Sequence, residues 1–245
     1  MAVILSIETS TTVCSIAIAR DGKLLSLHEV NAGFSHSENL TVFIQKASEE
    51  AGIKLNELDA IAVSKGPGSY TGLRIGVSTA KGLCYALKKP LIAIPTLQSL
   101  AGCYLASNVL PLNSNILALD SKVITPGYNV LAPGSIVLLP MLDARRMEVY
   151  CALFDSSLNE ISPAEAVVVN ENSFVEMLKS HRVVFFGDGY SKCKPLFESN
   201  LNAVFAEVNL SATGMISLAE AKFTGEEFED VSLFEPFYLK EAAIG

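Results

Sequence analysis

The stretch SKGPGSYTGLRIGVSTAKGL, Ser64–Leu83, contains the residue types with which proteins hold phosphate groups. Its glycines Gly66, Gly68 and Gly72 follow an apolar run and open a helical pattern, and N–H groups at the start of a helix attract anions. The spacing, however, is G-x-G-x-x-x-G, which matches neither the dinucleotide-binding fingerprint nor a Walker loop. A glycine inside a helix costs roughly 1 kcal/mol relative to alanine. The glycines therefore indicate that something approaches the backbone closely, either a phosphate or a second helix.

The spacing along the helix favours the second helix. Gly72, Gly76 and Ala80 are four residues apart, so they lie along one side of the predicted helix. None of their side chains is larger than a methyl group, so we predict that a helix of a partner chain packs there. Ser69 or Thr71 is expected to cap the first turn.

Two further clusters follow predicted strands. Glu8-Thr9-Ser10-Thr11 follows the first strand, where a carboxylate and hydroxyls could meet Mg²⁺ and phosphate; a polar hairpin turn explains it at least as well. Asp143-Ala144-Arg145-Arg146 occupies the matching place in the second half of the chain. It is either a ligand-facing cluster or an ion-paired strand end.

The chain gives no pattern of a metal site or a catalytic nucleophile. His36 is followed four residues later by Leu40 rather than a second ligand, and His28 and His181 lie far away in sequence. The cysteines are odd in number and widely spaced, so we expect reduced, mostly buried thiols in a cytoplasmic protein. They are Cys14, Cys84, Cys103, Cys151 and Cys193. We predict neither a metal nor catalytic residues.

Apolar runs and turn residues predict the elements that position these clusters. The predicted strands are Val3–Ile7, Val13–Ala19, Leu24–Val30, Leu58–Ser64, Leu91–Ile94, Ile136–Met141, Glu148–Phe154, one that reaches Val169, and Val183–Phe186. The predicted helices are Ser35–Ala51 with Ser35 as its cap, Tyr70–Leu87, one capped by Thr96, Glu171–Ser180, and one after Gly189.

The order of these elements occurs twice. Both halves place a G-x-G after a strand, at Gly66 and Gly68 and again at Gly187 and Gly189, which indicates a duplicated α/β fold rather than chance likeness. We expect a first lobe over residues 1–103, a linker or extended loop at Tyr104–Ser135, and a second lobe over residues 136–245.

Composition limits the partners. The net charge of −8, from 18 basic and 26 acidic residues, argues against nucleic-acid binding by the chain alone. No basic segment precedes the first apolar run, and no run reaches the ~18 apolar residues of a membrane span, so neither a signal peptide nor a membrane helix is expected.

Five motifs together resemble one family. ILSIETSTTVCSIAI, HSENL, SKGPGSYTGLRIGVSTAKGL, MLDARRMEVY and EPFYLK occur in the order typical of the TsaB (YeaZ) family. The resemblance implies an actin-like ATPase (ASKHA, ribonuclease H-like) fold of two duplicated lobes, with mixed sheets flanked by helices. It also implies a non-catalytic subunit beside the transferase subunit TsaD, which makes threonylcarbamoyladenosine next to the tRNA anticodon.

Further partners and ligands follow from the resemblance. It implies a TsaE-type ATPase in the complex, a homodimer when the chain is alone, and tRNA held only through the complex. Any ATP or ADP with Mg²⁺ is expected in the complex.

The resemblance also implies interface residues, on the helices Ser35–Ala51 and Tyr70–Leu87. These are His36, Leu40, Phe43, Tyr70, Thr71, Gly72, Arg74, Ile75, Gly76, Thr79 and Ala80. The rival interpretation is a small-molecule kinase or ATPase of the same superfamily, with nucleotide at Glu8, Ser10, Gly66, Gly68, Gly187 and Gly189. A third interpretation, a metallopeptidase, is rejected because the sequence lacks the pattern of metal-ligating residues that such an enzyme needs. The chain departs from the family in having Glu8 for an aspartate and Lys240 for an arginine.

Overall fold

The computed structural model describes residues 2–31, 36–107 and 134–240. Its strands are β1 (Val3–Glu8), β2 (Val13–Arg20), β3 (Lys23–Asn31), β4 (Ala60–Gly66), β5 (Leu91–Pro95), β6 (Ile136–Asp143), β7 (Glu148–Phe154), β8 (Glu160–Val168), β9 (Arg182–Phe186) and β10 (Ala203–Ala206). Its α-helices are α1 (His36–Ala51), α2 (Tyr70–Leu87), α3 (Thr96–Ala106), α4 (Val175–Ser180), α5 (Lys194–Phe197) and α6 (Ile216–Thr224).

The strands form two five-stranded sheets of identical topology. The first has the order β3-β2-β1-β4-β5 and the second the equivalent order β8-β7-β6-β9-β10. In each sheet the first strand pairs antiparallel with the second and parallel with the fourth, as in β1 with β2 and β4. The predicted duplication is therefore confirmed, and the mixed sheets flanked by helices are those of the actin-like ATPase fold.

Alternation along β1 explains how the first sheet is covered on both faces. Val3, Leu5 and Ile7 point to one face, where they join the buried side of α1 and α2 in one core. Ala2 and Ile4 point to the other face, which is covered by α6. In the second sheet, α3 covers one face and α4 and α5 cover the other.

Two helices pack on the sheet of the other half of the chain, while the predicted lobe boundaries stay a prediction. Most of helix α3 falls within residues 1–103, but its apolar side joins the core of the second sheet. Helix α6 falls within residues 136–245 but packs on the first sheet. Tyr104, the predicted start of the linker, belongs to α3 and stacks on Phe186 with ring centroids 4.8 Å apart. The rest of the predicted linker, residues 108–133, and Ser35 lie outside the described residues.

Other predicted elements differ locally. The helix predicted over Glu171–Ser180 begins only at Val175, and the helix after Gly189 is a short 3-10 turn followed by the single turn α5. Thr96 does not cap α3; its hydroxyl accepts a hydrogen bond of 3.2 Å from the Gly66 N–H instead. Strand β10 and helix α6 were not predicted.

The last described residues, 228–240, form what we call the C-terminal strap. It follows the first sheet, where Glu229 bridges to Leu91 of β5 and the Phe237 N–H donates to the Lys65 carbonyl oxygen at 2.6 Å. At its end, Lys240 forms an ion pair with Glu148 of β7. Among the described residues no helix is long and apolar enough to span a membrane.

Candidate partner-binding face

The glycines of α2 and the loop before it face a loop of their own chain. A β-carbon at Gly68 would overlap the carbonyl oxygen of Ser10, and one at Gly72 would overlap that of Thr9. At Gly76 it would overlap the Thr9 hydroxyl. The hydroxyl itself donates to the Gly72 carbonyl oxygen at 2.8 Å. Helix α2 is therefore rich in glycine because the segment after β1 lies directly against it.

This contact accounts for part of the predicted stripe. Gly72, Gly76 and Ala80 are buried within the chain, and Ala80 belongs to the core beneath α1 and α2. At Gly72 and Gly76 the expected close approach exists and is intramolecular. A partner helix beside these residues stays a prediction.

The N–H groups that could hold a phosphate at the start of α2 are bonded to the chain's own oxygen atoms. The Ser69 N–H donates to the Ser10 carbonyl oxygen at 2.6 Å, and the Gly72 N–H donates to the Ser69 hydroxyl at 3.3 Å. Ser69 therefore caps α2, which confirms one of the two predicted candidates, Ser69 and Thr71. Gly66, with a φ of 114°, faces the carbonyl oxygen of Phe237 in the strap. The space beside Gly66 and Gly68 is thus filled by the chain's own backbone, and their role in nucleotide binding stays a prediction.

Glu8 and Ser10 are brought together, as expected, in a buried network that uses one carboxylate oxygen of Glu8, while Oε2 has no hydrogen-bond partner among the described residues. Glu8 is fully buried, and its Oε1 accepts hydrogen bonds from the Ser10 N–H at 2.7 Å, the Ser10 hydroxyl at 2.6 Å and the Ser64 hydroxyl at 2.8 Å. Burial raises the pKa of the Glu8 carboxyl above its usual value, against the opposing effect of these hydrogen bonds. These bonds are compatible with the polar turn, and the nucleotide-binding interpretation of Glu8 and Ser10 stays a prediction.

The second G-x-G also packs within the chain. Gly187, with a φ of 95°, faces the Met141 carbonyl oxygen and the side chain of Leu100. Gly189 faces the backbone of Leu142. Both glycines allow the loop after β9 to lie against β6. Like Gly66 and Gly68, they face carbonyl groups rather than open space.

The predicted interface residues divide by exposure. Tyr70, Thr71 and Arg74 are exposed, and Phe43, Ile75 and Thr79 are half-buried. The remaining five are buried inside the chain, and their role as contact residues stays a prediction. They are His36, Leu40, Gly72, Gly76 and Ala80. His36 is held there by a 2.8 Å hydrogen bond between its Nε2 and the Thr11 carbonyl oxygen.

An exposed stripe on α2 replaces the predicted one. Besides Tyr70 and Arg74 it includes Ser78 and Tyr85, the last with 85% of its surface exposed. The prediction missed Ser78 and Tyr85, although helical spacing from Arg74 could have found both. We call these four residues the α2 face.

The C-terminal strap extends this face. The Arg74 guanidinium lies 4.1 Å from the centre of the Tyr70 ring, and the Tyr70 ring lies 4.8 Å from that of Tyr238 in the strap. A groove of about 280 Å³ separates α2 from the strap, with Arg74, Lys81 and Glu235 among its lining residues. Lys81 fixes the strap through a 2.8 Å hydrogen bond to the Phe234 carbonyl oxygen.

In the cluster Asp143-Ala144-Arg145-Arg146 after β6, one acidic residue is ion-paired and the two arginines are not, among the residues that the structure describes. Asp143 accepts from Lys192 Nζ at 2.7 Å, so it is the ion-paired end of a strand. Lys240, which replaces a family arginine, still reaches both oxygens of Glu148 nearby. Arg145 and Arg146 take part in neither pair.

The duplicated sheets and the internally filled glycine loops define a protein of the actin-like fold, and the α2 face is an exposed helical surface on it. The chain is 30% identical over 249 residues to the Escherichia coli (strain K12) "tRNA threonylcarbamoyladenosine biosynthesis protein TsaB", covering 97% of this chain and 94% of that protein. The Bacillus subtilis (strain 168) protein of the same name is 28% identical, with 98% and 94% covered. The chain belongs to the TsaB family.

Two other comparisons describe related families and folds. Residues 30–114 match the family described as "TsaD: tRNA N6-adenosine threonylcarbamoyltransferase". The structure of "YeaZ from Pseudomonas aeruginosa" superposes with a TM-score of 0.71 at 23% identity, covering 98% of this chain and 100% of that one. The latter likeness supports the fold.

Proposed function

We propose that this protein is an accessory subunit in the synthesis of threonylcarbamoyladenosine in tRNA, and that it binds a TsaD-type transferase subunit. The observation that carries the pairing is the exposed α2 face, with Tyr70, Arg74 and Tyr85 on one side of a helix. Tyrosine and arginine are enriched where proteins bind one another. Because the opposite side of α2 is filled by Thr9 and Ser10, this side is the one available to a partner.

We propose further that the chain does no chemistry by itself. In the described part of the chain, no group of three His, Cys, Asp or Glu side chains could hold a metal ion. Burial raises the pKa of all five cysteine thiols to between about 11 and about 12, which makes them poor nucleophiles. The rival kinase or ATPase would need the N–H groups that Ser10 and Ser69 already occupy.

The remaining partners form part of the same proposal. A TsaE-type ATPase joins the complex, ATP or ADP with Mg²⁺ binds only there, and the chain alone homodimerises through the α2 face. Its net charge of −8 leaves tRNA binding to the complex. We propose that it acts in the cytoplasm.

A reconstitution tests the proposal. The purified chain is mixed with a TsaD-type subunit, and pairing is measured by size exclusion with light scattering. Threonylcarbamoyl transfer to tRNA and ATP hydrolysis are then followed for each protein and for the mixture. We expect pairing, with transfer only in the mixture. ATP hydrolysis by the chain alone that is lost on Glu8→Ala would favour the kinase or ATPase instead.

A further inference from the structure

The turn between β6 and β7 presents two arginines in an unusual backbone conformation. Arg145 has a φ of 72° and Arg146 a φ of 49°, so two consecutive residues with side chains lie in the left-handed region that favours glycine. Asparagine or glycine would adopt this turn more easily. Strain of this kind is concentrated where a side chain is needed for function.

The base of the turn is held rigidly, and its acidic side chains are already paired. Asp143 Oδ1 accepts from the Arg145 N–H at 2.6 Å and from Lys192 Nζ at 2.7 Å. Lys192 also donates to the Glu148 carbonyl oxygen at 2.7 Å, and the Glu148 carboxylate is bound by Lys240. The two lysines thus pair with Asp143 and Glu148. A third carboxyl group, that of Asp188, accepts from the Asp143 N–H at 2.8 Å, and burial raises its pKa, which disfavours its charged form.

Both arginine side chains remain exposed and unpaired. Neither guanidinium has a hydrogen-bond or ion-pair partner among residues 2–31, 36–107 and 134–240. The turn therefore places two uncompensated positive charges on a protein whose net charge is −8. A guanidinium binds phosphate through two parallel hydrogen bonds, which makes arginine the preferred partner of a nucleic-acid backbone.

The duplication shows why this turn is free. Its counterpart in the first sheet is the segment after β1, where Thr9 and Ser10 are covered by α2. In the second half the helix at the equivalent place is only the single turn α5, Lys194–Phe197. The described chain has no long helix there to cover the turn, so Arg145 and Arg146 face solvent.

The strap places the turn beside the proposed partner surface. Tyr238 stacks on Tyr70 at the start of α2, and Lys240, two residues later, binds Glu148 at the base of the turn. A tRNA held by a subunit on the α2 face would thus have these arginines at the edge of its binding surface.

We propose that Arg145 and Arg146 bind phosphates of the tRNA backbone in the complex with the transferase subunit. This inference rests on the proposed function. It assigns to the accessory subunit a direct contribution to substrate binding, made by one turn of an otherwise acidic protein. An acidic surface of the partner protein is the competing occupant, and the test separates the two.

The experiment compares complexes of the transferase subunit with wild-type protein and with Arg145→Asn/Arg146→Asn. Asparagine tolerates the left-handed backbone, so the turn is kept while both charges are removed. Arg20→Ala/Lys23→Ala is the matched control, because it removes two exposed charges from the β2–β3 turn. Binding of an unmodified tRNA transcript is measured at several salt concentrations, and pairing of the two subunits is measured in parallel.

We expect the asparagine variant to pair normally but to bind tRNA about tenfold more weakly at low salt. The slope of log K against log salt should fall in magnitude by about one to two, as expected for lost phosphate contacts. Arg145→Lys/Arg146→Lys should keep the slope, because the charges remain, while the control should match the wild type. Unchanged tRNA binding by the asparagine variant would overturn the proposal, and so would loss of subunit pairing, which would indicate a protein contact. Failure of the wild-type chain to pair would instead refute the proposed function.

Discussion

The hydroxyl of Thr9 donates a 2.8 Å hydrogen bond to the carbonyl oxygen of Gly72, 63 residues away in sequence. The same hydroxyl occupies the space that a β-carbon at Gly76 would need. Glycine in the interior of α2 is thus required by a contact that joins the first strand to the helix. This relationship makes the stability of the chain, rather than its pairing, sensitive to the size of residue 76.

Gly76→Ala should lower the free energy of unfolding by roughly 1–3 kcal/mol, because the added methyl group overlaps the Thr9 hydroxyl. Gly82→Ala is the matched control on the same helix, since a β-carbon there meets no atom within 4 Å. That control should gain up to about 1 kcal/mol from the better helix propensity of alanine. Urea unfolding measures both. Equal stability of the two variants would contradict the intramolecular contact.

Coupling between the two positions is a separate expectation. Thr9→Ala removes the hydroxyl and its bond to Gly72, and therefore should destabilise the wild-type protein by about 1 kcal/mol. In the Gly76→Ala background it should cost less or even stabilise, because it also removes the clash. A double-mutant cycle by urea unfolding gives the coupling energy. Simple additivity would show that Thr9 is not the neighbour that matters.

Arg74→Glu should weaken pairing with the transferase subunit about tenfold, since interface arginines often contribute more than 1 kcal/mol. Arg74 is exposed but its guanidinium lies over the Tyr70 ring, so the free energy of unfolding should fall by about 1 kcal/mol at most. Lys194→Glu makes the same charge change on exposed α5 and should pair normally. Light scattering and thermal melts of the three proteins provide the comparison. If the Arg74→Glu variant folds and pairs as the wild type does, Arg74 does not contribute to binding of the transferase subunit.

Glu8→Gln should make stability less dependent on pH. Burial raises the pKa of Glu8 in the native state above 4.5, the ordinary value that the unfolded chain retains. Between the two pKa values the native state binds more protons than the unfolded state, so wild-type stability falls as pH rises through this interval. Glutamine does not titrate, so the stability of the variant relative to the wild type should increase as pH rises above 4.5 through the raised pKa of Glu8. Urea unfolding of both proteins at several pH values measures this difference in stability. If the wild type becomes more stable relative to the variant as pH rises, the expected pKa shift of Glu8 is wrong.

The five cysteines should react slowly in the native protein. All five are buried, and burial raises the pKa of Cys14 to about 11 and of Cys103 to about 12. The thiolate is the reactive form, and little of it is present at neutral pH. A chromogenic disulfide reagent should label five thiols promptly in denaturant and few without it. Rapid labelling of the native chain would reveal an accessible thiol that the fold does not show.

The pattern of apolar residues by itself determined most of the secondary structure. The predicted strand over Glu148–Phe154 and the helix over Tyr70–Leu87 have the same bounds in the structure. Periodicity suffices there, because each element buries one face or both. The repeated G-x-G likewise revealed the duplication. Strand β10 was missed because its four residues are too few to show a period.

Whether the small residues of α2 lie against their own chain or against a partner could be seen only in the tertiary structure. A stripe such as Gly72, Gly76 and Ala80 states that something lies close, but the atom that fills the space is supplied by Thr9, which no local pattern connects to it. The exchange of α3 and α6 between the sheets is hidden for the same reason, since an amphipathic helix specifies a buried side and not its partner. The charges on Arg145 and Arg146 are visible in the sequence. Their freedom follows from the pairing of Asp143 and Glu148 with distant lysines, which only folding brings about.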